Sequence, residues 1–279
     1  MPDRLRSAAR RTYSLTAYAA FLAVTAWAVL FLADRGPLPT VDSPRSGPAW
    51  TAVAVDLALW LAFGLHHSVL ARDRAERALT RVQPARLERS TYVLVAALLL
   101  GLLCWQWRAL PATVWRIEGR PWVALAWVGY GAGWVVAVAA TYMVDHWEFA
   151  GLRQAGWLDR LGRPAPTASV SRRWLYGWVR HPMMAGLLVA FWVTPVMTAG
   201  HLLYAAAASA YIAVGLRFEE RDLRRHLGAG YADYARQVPR LVPGTGRRRV
   251  TGPAGGRRHP ARSAQAGPEP AVTVVPTEP

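Results

Sequence analysis

A single cysteine and a complete lack of lysine distinguish this chain of 279 residues, although 33 of its residues are basic. One cysteine excludes an internal disulfide bond and a cysteine-rich metal site. Cys104 lies within a long apolar run, which favours a small buried hydrophobic side chain over a nucleophile. The sequence also lacks an internal repeat and a glycine-rich nucleotide-binding fingerprint after a strand, so nothing in it indicates a Rossmann domain.

Charged residues are scarce within six long apolar runs of a sequence that is 53% hydrophobic. The runs cover roughly residues 14–33, 50–70, 92–107, 122–144, 183–196 and 199–218. Most are long enough to cross a bilayer, whose core needs about 20 helical residues. The fifth is too short to cross comfortably, and Thr194-Pro195 near its end favours a turn or kink. The predicted fold class is therefore all-α: a polytopic helical membrane protein with five to six transmembrane helices and a C-terminal helical hairpin.

The arginines are concentrated in alternate loops. A net charge of +16 would suggest nucleic-acid binding in a soluble chain, but here 28 of the 33 arginines lie before the first run, in 72–89, in 153–180 or from 217 onward. The positive-inside rule predicts that these segments and both termini are cytoplasmic, with the protein in a bacterial inner (plasma) membrane. No nucleic-acid partner is expected.

The domain prediction separates a membrane domain from a tail. Residues 1–243 contain every apolar run, and 176–243 contain the densest group of polar motifs. Residues 244–279 consist mainly of Gly, Pro, Arg and small side chains without apolar periodicity, which predicts a disordered cytoplasmic tail. An amphipathic helix on the inner leaflet is expected over 72–89.

Two polar clusters bracket about 30 apolar residues. The first begins with Arg180 and His181, and the second contains Glu219, Glu220 and Arg221. An apolar hairpin that enters a bilayer and returns places both of its polar ends at the same surface. A convergent group of ionisable residues beside hydrocarbon is a candidate site.

The helix that follows His181 has features that suit a ligand. Pro182 is a natural first helical residue, so the helix N-terminus would present free backbone N–H groups to a carboxylate. Gly186 lacks a side chain and is expected to admit a flat or bulky group against this helix.

A further polar group lies at the cytoplasmic end of the fourth run. Asp145, His146 and Glu148 occur within four positions, at the depth predicted for Arg180 and His181. They could form a polar collar at a helix end, or contribute His146 and Glu148 to the mouth of a substrate or cofactor site. Both interpretations remain open at this stage.

The motifs of the second half resemble those of the isoprenylcysteine carboxyl methyltransferase-like membrane superfamily, which is related to NnrU. The shared motifs are Arg180-His-Pro with Gly186, Arg217-x-Glu-Glu-Arg-x-Leu, and Tyr231-x-x-Tyr-x-x-x-Val-Pro. Within that superfamily the chain resembles the methanethiol S-methyltransferase family, most specifically in Phe191-Trp-Val-Thr-Pro-x-Met-Thr-x-Gly-His201. The resemblance extends from about residue 61 to residue 243.

The resemblance implies S-adenosyl-L-methionine as cofactor, bound without a Rossmann domain by the hairpin helices and the C-terminal polar segment. The implied cofactor-binding residues are Arg180, His181, Pro182, Met183, Gly186, Glu219, Glu220 and Arg221. A guanidinium of Arg180 or Arg221 would suit the methionine carboxylate. His146, Glu148 and Trp192 are the candidate substrate-binding residues, and His181, His146 and His201 are the candidate bases. No metal is expected.

The activity implied by this resemblance is methyl transfer to a small thiol, with methanethiol giving dimethyl sulfide. Met184 stands where many carboxyl-methylating relatives have tyrosine, which argues mildly against a prenylcysteine substrate. Two alternatives remain open: a methyltransferase for another lipid-soluble acceptor such as a prenylcysteine carboxylate, and a non-enzymatic NnrU-like membrane assembly factor.

Overall fold

A computed structural model describes residues 2–45, 47–70, 83–157 and 174–245. Most of the amphipathic helix expected over 72–89 lies outside the described residues, as does the tail from residue 246 onward. The structure therefore bears on the membrane helices and on the polar motifs that follow them.

Five helices are long and apolar enough to cross a membrane. They are α1 (Pro2–Leu32), α2 (Ala49–Leu70), α3 (Glu88–Gln106), α4 (Arg120–Val144) and α8 (Ala199–Gln237). Three shorter helices are α5 (His146–Phe149), α6 (Leu175–Trp178) and α7 (Pro182–Trp192), and a 3-10 turn covers Ala85–Leu87. The predicted all-helical, polytopic architecture is confirmed, and the chain is an integral membrane protein.

Helix α7 corresponds to the short fifth run. Its 11 residues span about 16 Å, roughly half of a bilayer core. The chain then forms strand β2 (Val196–Thr198), which pairs antiparallel with β1 (Thr113–Arg116). This small sheet ties the turn between α7 and α8 to the loop between α3 and α4. The sequence predicted only a turn here, because the two paired segments are about 80 residues apart and each is very short.

The core of the bundle is aromatic and lies around the first turns of α8. The Tyr204 ring packs against Trp60 and Trp107, with centroid distances of 5.0 and 5.5 Å. Phe31 and Phe191 complete the group, at 5.9 and 5.6 Å from Tyr204. These edge-on and tilted contacts between large rings connect α1, α2, α7 and α8.

Glycines allow α4 and α7 to pack with their backbones nearly in contact. A Cβ at Gly133 would lie 2.6 Å from the Ala190 nitrogen, and one at Gly186 would lie 2.5 Å from the Gly133 oxygen. The expectation that Gly186 admits a ligand is therefore wrong, because the space beside it is filled by α4. Small residues commonly allow such close approach between membrane helices.

Helix α8 is long enough to leave the membrane. Its 39 residues would extend about 58 Å, against about 30 Å for a hydrocarbon core. The apolar part ends near Leu216, and from Arg217 the helix is rich in charged residues, so we expect this part to lie beyond the hydrocarbon. At Gly228 the backbone has φ 55° and ψ −131°, which breaks the helix and lets the remainder take a new direction.

The close contact between α4 and α7 gives a matched test in one helix. Gly133→Ala should lower the free energy of unfolding by about 1–3 kcal/mol, because its methyl group meets the backbone of α7. Gly131→Ala should be neutral or slightly stabilising, since a Cβ there has no neighbour within 4 Å. Thermal unfolding of the two purified variants measures the difference, and equal melting temperatures would contradict this packing.

Candidate functional site

A cleft lies where the start of α7 meets the polar part of α8. Its walls come from the residues around α7, from α8 before the Gly228 break, and from the short helical segment after it. The lining residues are Tyr176, Arg180, His181, Pro182, Met183, Met184, Glu219, Leu223, Tyr231 and Tyr234. They enclose a cavity of about 50 Å³. Both polar clusters that the sequence singled out therefore meet at one place.

The strongest interaction in the cleft joins Arg180 to Glu220. Nε and Nη2 of Arg180 donate to Oε1 of Glu220 at 3.0 and 2.6 Å. Nη1 donates to the backbone oxygens of Ala235 and Val238 at 2.7 and 2.5 Å. All three guanidinium nitrogens of Arg180 are thus engaged within the protein.

Glu220 also holds two further arginines with its other oxygen. Oε2 accepts hydrogen bonds from Nε and Nη2 of Arg240 at 2.9 and 2.6 Å, and from Nη2 of Arg224 at 3.1 Å. Burial alone would raise the pKa of this fully buried carboxyl group, but the adjacent His181 and the hydrogen bonds from Arg240 and Arg180 hold it well below its usual range. Glu220 is therefore an ionised structural centre of the cleft.

The segment after α8 is hydrogen-bonded to the residues that immediately precede α7. The backbone nitrogen of Arg180 donates to the Pro239 oxygen at 2.8 Å, and that of His181 donates to the Arg240 oxygen at 3.1 Å. These bonds, together with the guanidinium contacts of Arg180, join two segments about 60 residues apart. The C-terminal segment thereby closes one side of the cleft.

His181 lies between the two adjacent glutamates. Its Nδ1 is 3.4 Å from Oε2 of Glu219, and its Nε2 is 3.4 Å from Oε1 of Glu220. A neutral imidazole carries only one N–H, so two carboxylate neighbours favour the doubly protonated ring. Burial lowers the pKa of His181, but the two adjacent carboxylates raise it overall. A protonated His181 suits a role in positioning Glu219 better than the predicted role of base.

Of the two adjacent glutamates, Glu219 is the one whose carboxylate a ligand in the cleft could reach. Its side chain is 25% exposed and lines the cavity, whereas Glu220 is fully buried. Arg221, which the sequence placed with the cofactor, is exposed and does not line the cavity. Arg180 is engaged with Glu220, so neither of these two arginines presents a free guanidinium to the cavity.

His146 belongs to a separate buried cluster. Its Nε2 lies 2.8 Å from the Tyr18 hydroxyl and its Nδ1 lies 2.8 Å from Oγ1 of Thr141, while its ring stacks on Tyr142 at 4.1 Å. Burial lowers the pKa of His146, which favours the neutral ring. Neither His146 nor Glu148 lines the cavity, so the structure supports a structural helix-end cluster more than a substrate mouth.

The other two candidates lie far from the cleft. His201 is fully buried near the start of α8, with Nε2 3.0 Å from the Phe191 oxygen. It precedes Glu220 by 19 residues, about 28 Å along the helix. Trp192, at the opposite end of α7 from His181, donates from Nε1 to Oγ of Ser209 at 2.9 Å. The helix lengths therefore separate His201 and Trp192 from the residues they were predicted to join.

Several cleft residues were absent from the sequence-based site. They are Tyr176, Met184, Leu223, Arg224, Tyr231, Tyr234 and Arg240. The two tyrosines of the Tyr231-x-x-Tyr motif could have been predicted as site residues, because that motif supported the family resemblance. Arg240 lies just past the motif, and only its contact with Glu220 reveals its importance. Among the described residues no group of three or more His, Cys, Asp or Glu side chains could hold a metal ion.

A bundle of long apolar helices with a charged cleft beside the polar part of α8 defines a polytopic integral membrane protein. Methanethiol S-methyltransferase from Mycobacterium tuberculosis is 44% identical to the chain over 231 residues, covering 83% of this chain and 94% of that protein. Methanethiol S-methyltransferase 2 from Bradyrhizobium diazoefficiens is 43% identical over 242 residues, covering 86% and 92%. The chain therefore belongs to the methanethiol S-methyltransferase family, and the resemblance seen in its motifs is confirmed.

More distant similarity extends to a eukaryotic protein. Nurim from Rattus norvegicus is 29% identical over 206 residues, covering 68% of this chain and 78% of that protein. No family model matches the chain. No solved structure matches it either.

The charge network around Glu220 predicts a large stability effect. Glu220→Gln should lower the free energy of unfolding by about 3–5 kcal/mol, because Arg180 would remain buried without its carboxylate. The control is Asp233→Asn, which removes an exposed acid paired with Arg236 on the same helix and should change stability by less than about 0.5 kcal/mol. Chemical unfolding of both variants tests this, and similar midpoints would contradict a structural role for Glu220.

The position of His181 predicts a pH-dependent contribution to stability. Because its pKa is higher in the folded than in the unfolded chain, the stabilisation should be complete below about pH 6.5 and lost as pH rises through the folded value. The melting-temperature difference between the wild type and His181→Gln should therefore shrink between about pH 6 and 9. A difference that grew with pH would indicate a neutral His181.

Proposed function

We propose that this protein transfers a methyl group from S-adenosyl-L-methionine to a small thiol, and that methanethiol is the acceptor and dimethyl sulfide the product. Three relatives named methanethiol S-methyltransferase are 40–44% identical to this chain and cover most of it. The observation that carries the proposal in the structure is the cleft itself, where Arg180, His181, Glu219 and Glu220 converge from two separate motifs.

The cleft residues fit the polar groups of this methyl donor. Glu219 offers an accessible carboxylate to an amine or to ribose hydroxyls, and the start of α7 offers backbone N–H groups to a carboxylate. The Tyr231 hydroxyl is buried and has no hydrogen-bond partner among the described residues. The cavity of about 50 Å³ is smaller than most ligand sites, which hold about 300–1,000 Å³, so the donor would extend beyond it.

The reaction makes modest demands on the protein. S-adenosyl-L-methionine supplies a methyl group already activated by its sulfonium. Met183, Met184 and Leu223 give the cleft an apolar wall that would exclude water and hold a small thiol in line for attack. The thiol proton would pass to water, and the thiolate sulfur would bond to the methyl carbon as its bond to the sulfonium breaks, with S-adenosyl-L-homocysteine leaving. The protein must therefore orient the sulfur and favour its thiolate form.

Positive potential is the proposed means of favouring the thiolate. Three arginines and the imidazolium of His181 surround two glutamates, which leaves the cleft with net positive charge. Such surroundings lower the pKa of a thiol and raise the concentration of its reactive form. The geometry therefore supports deprotonation promoted by the electrostatic field of the cleft, without a histidine base.

The membrane setting suits an apolar thiol and its volatile product. The arginine distribution favours both termini in the cytoplasm, and the bacterial relatives favour the inner membrane. The donor, a polar cytoplasmic metabolite, would enter the cleft from the aqueous side. The thiol would reach it through the bilayer or between the helices. In this proposal residues 1–243 form the catalytic domain, and the tail is dispensable for the chemistry.

The decisive experiment measures dimethyl sulfide by headspace gas chromatography in cells that express the chain and are fed methanethiol. Unmodified protein should produce dimethyl sulfide, and Glu219→Gln should reduce the rate at least about 100-fold, since it removes the accessible carboxylate of the cleft. Glu118→Gln is the control, because Glu118 is exposed in the loop before α4, away from the cleft residues. It should retain the wild-type rate.

Other results would redirect the assignment. If inserted protein forms no dimethyl sulfide but yields a carboxyl ester with a prenylcysteine acceptor, the thiol specificity is wrong. If purified protein does not bind S-adenosyl-L-methionine by calorimetry, the proposed enzymatic function is wrong. Equal rates in Glu219→Gln and Glu118→Gln would place the site elsewhere.

A further inference from the structure

Two neighbouring tyrosines in the cleft differ in one respect. Tyr231 and Tyr234 are each 1% exposed, line the same cavity and pack ring against ring with centroids 6.0 Å apart. The Tyr234 hydroxyl donates to the Tyr176 oxygen at 2.7 Å. The Tyr231 hydroxyl is buried yet has no hydrogen-bond partner within the part of the chain that the structure describes.

An unpaired buried hydroxyl is unfavourable in the ligand-free protein. Burial takes this hydroxyl out of bulk water and the described residues offer it no hydrogen bond in exchange, so phenylalanine would fill the same space at lower free-energy cost. Groups that break this rule are commonly found where function requires them. The packing of the ring against Tyr234 accounts for the aromatic side chain of Tyr231, but it does not account for the oxygen.

The position of Tyr231 relates it to the rest of the cleft. It follows the break at Gly228, so it approaches the cavity from a segment separate from the part of α8 that carries Glu219. Leu223, Tyr234 and Val238 pack around it in a small apolar cluster of their own. A ligand in the cavity would therefore contact Glu219 on one side of the break and Tyr231 on the other.

We propose that the Tyr231 hydroxyl forms a hydrogen bond with the bound methyl donor and is its polar contact with the segment after Gly228. This inference rests on the proposed function, since it takes S-adenosyl-L-methionine as the ligand of the cleft. Tyr234 has a different role, because its hydroxyl fastens this segment to the residues before α7. One tyrosine serves ligand binding and the other serves folding.

The test compares two single-atom deletions in the full-length protein. Tyr231→Phe should leave the melting temperature of the ligand-free protein unchanged or higher, because it removes an unpaired buried polar group. It should weaken the binding of S-adenosyl-L-methionine about tenfold, measured by titration calorimetry on purified protein. Tyr234→Phe should show the reverse pattern, with a lower melting temperature and donor affinity within about twofold of the wild type.

The outcomes separate failure of this inference from failure of the proposed function. If the wild type binds S-adenosyl-L-methionine and Tyr231→Phe binds it equally well, the role of Tyr231 is wrong while the function stands. If Tyr231→Phe is clearly destabilised without ligand, its hydroxyl is structural and the inference is again wrong. If the wild type does not bind the donor, the proposed function fails and the inference fails with it.

Discussion

The cleft depends on the hydrogen bonds that the carboxylate of Glu220 accepts from three arginines. One buried acid accepts hydrogen bonds from Arg180 before α7, from Arg224 on its own helix and from Arg240 after it. Each of these charges would be costly to bury alone, so the group is stable only when it is complete. Because its members come from three segments, their assembly fixes the relative positions of α7, α8 and the C-terminal segment.

The membrane helices determine where that assembly can lie. Helix α7 is too short to cross a bilayer, and its contact with α4 through Gly133 and Gly186 leaves no space for a ligand between them. Within the part of the chain that the structure describes, the cavity beside His181 lies at the start of α7 and against the polar part of α8. The aromatic core around Tyr204, at the other end of the apolar part of α8, stabilises the bundle without contributing to the cleft.

The polar side chains of the ligand-free cleft fall into two groups: one is hydrogen-bonded within the protein, and the other lies on the cavity. All three guanidinium nitrogens of Arg180 and both carboxylate oxygens of Glu220 are hydrogen-bonded within the protein, which makes the pair a rigid base for the site. Glu219 and Tyr231 lie on the cavity, the first partly exposed and the second with an unpaired hydroxyl. This division fits a site in which fixed charges set the potential while other groups contact the ligand, as preorganised binding requires.

The lengths of the apolar runs and the hairpin between the two polar motifs were enough to predict the membrane-crossing helices and the meeting of those motifs, because both are properties of neighbouring parts of the chain. The choice between Glu219 and Glu220 depended on tertiary packing, since adjacent helical residues point about 100° apart and packing selects which one faces the cavity. The use of Gly186 was likewise decided by contact with a distant helix, whereas the remoteness of His201 follows from its separation from Glu220 along α8. Such long-range packing leaves no periodic trace in the sequence.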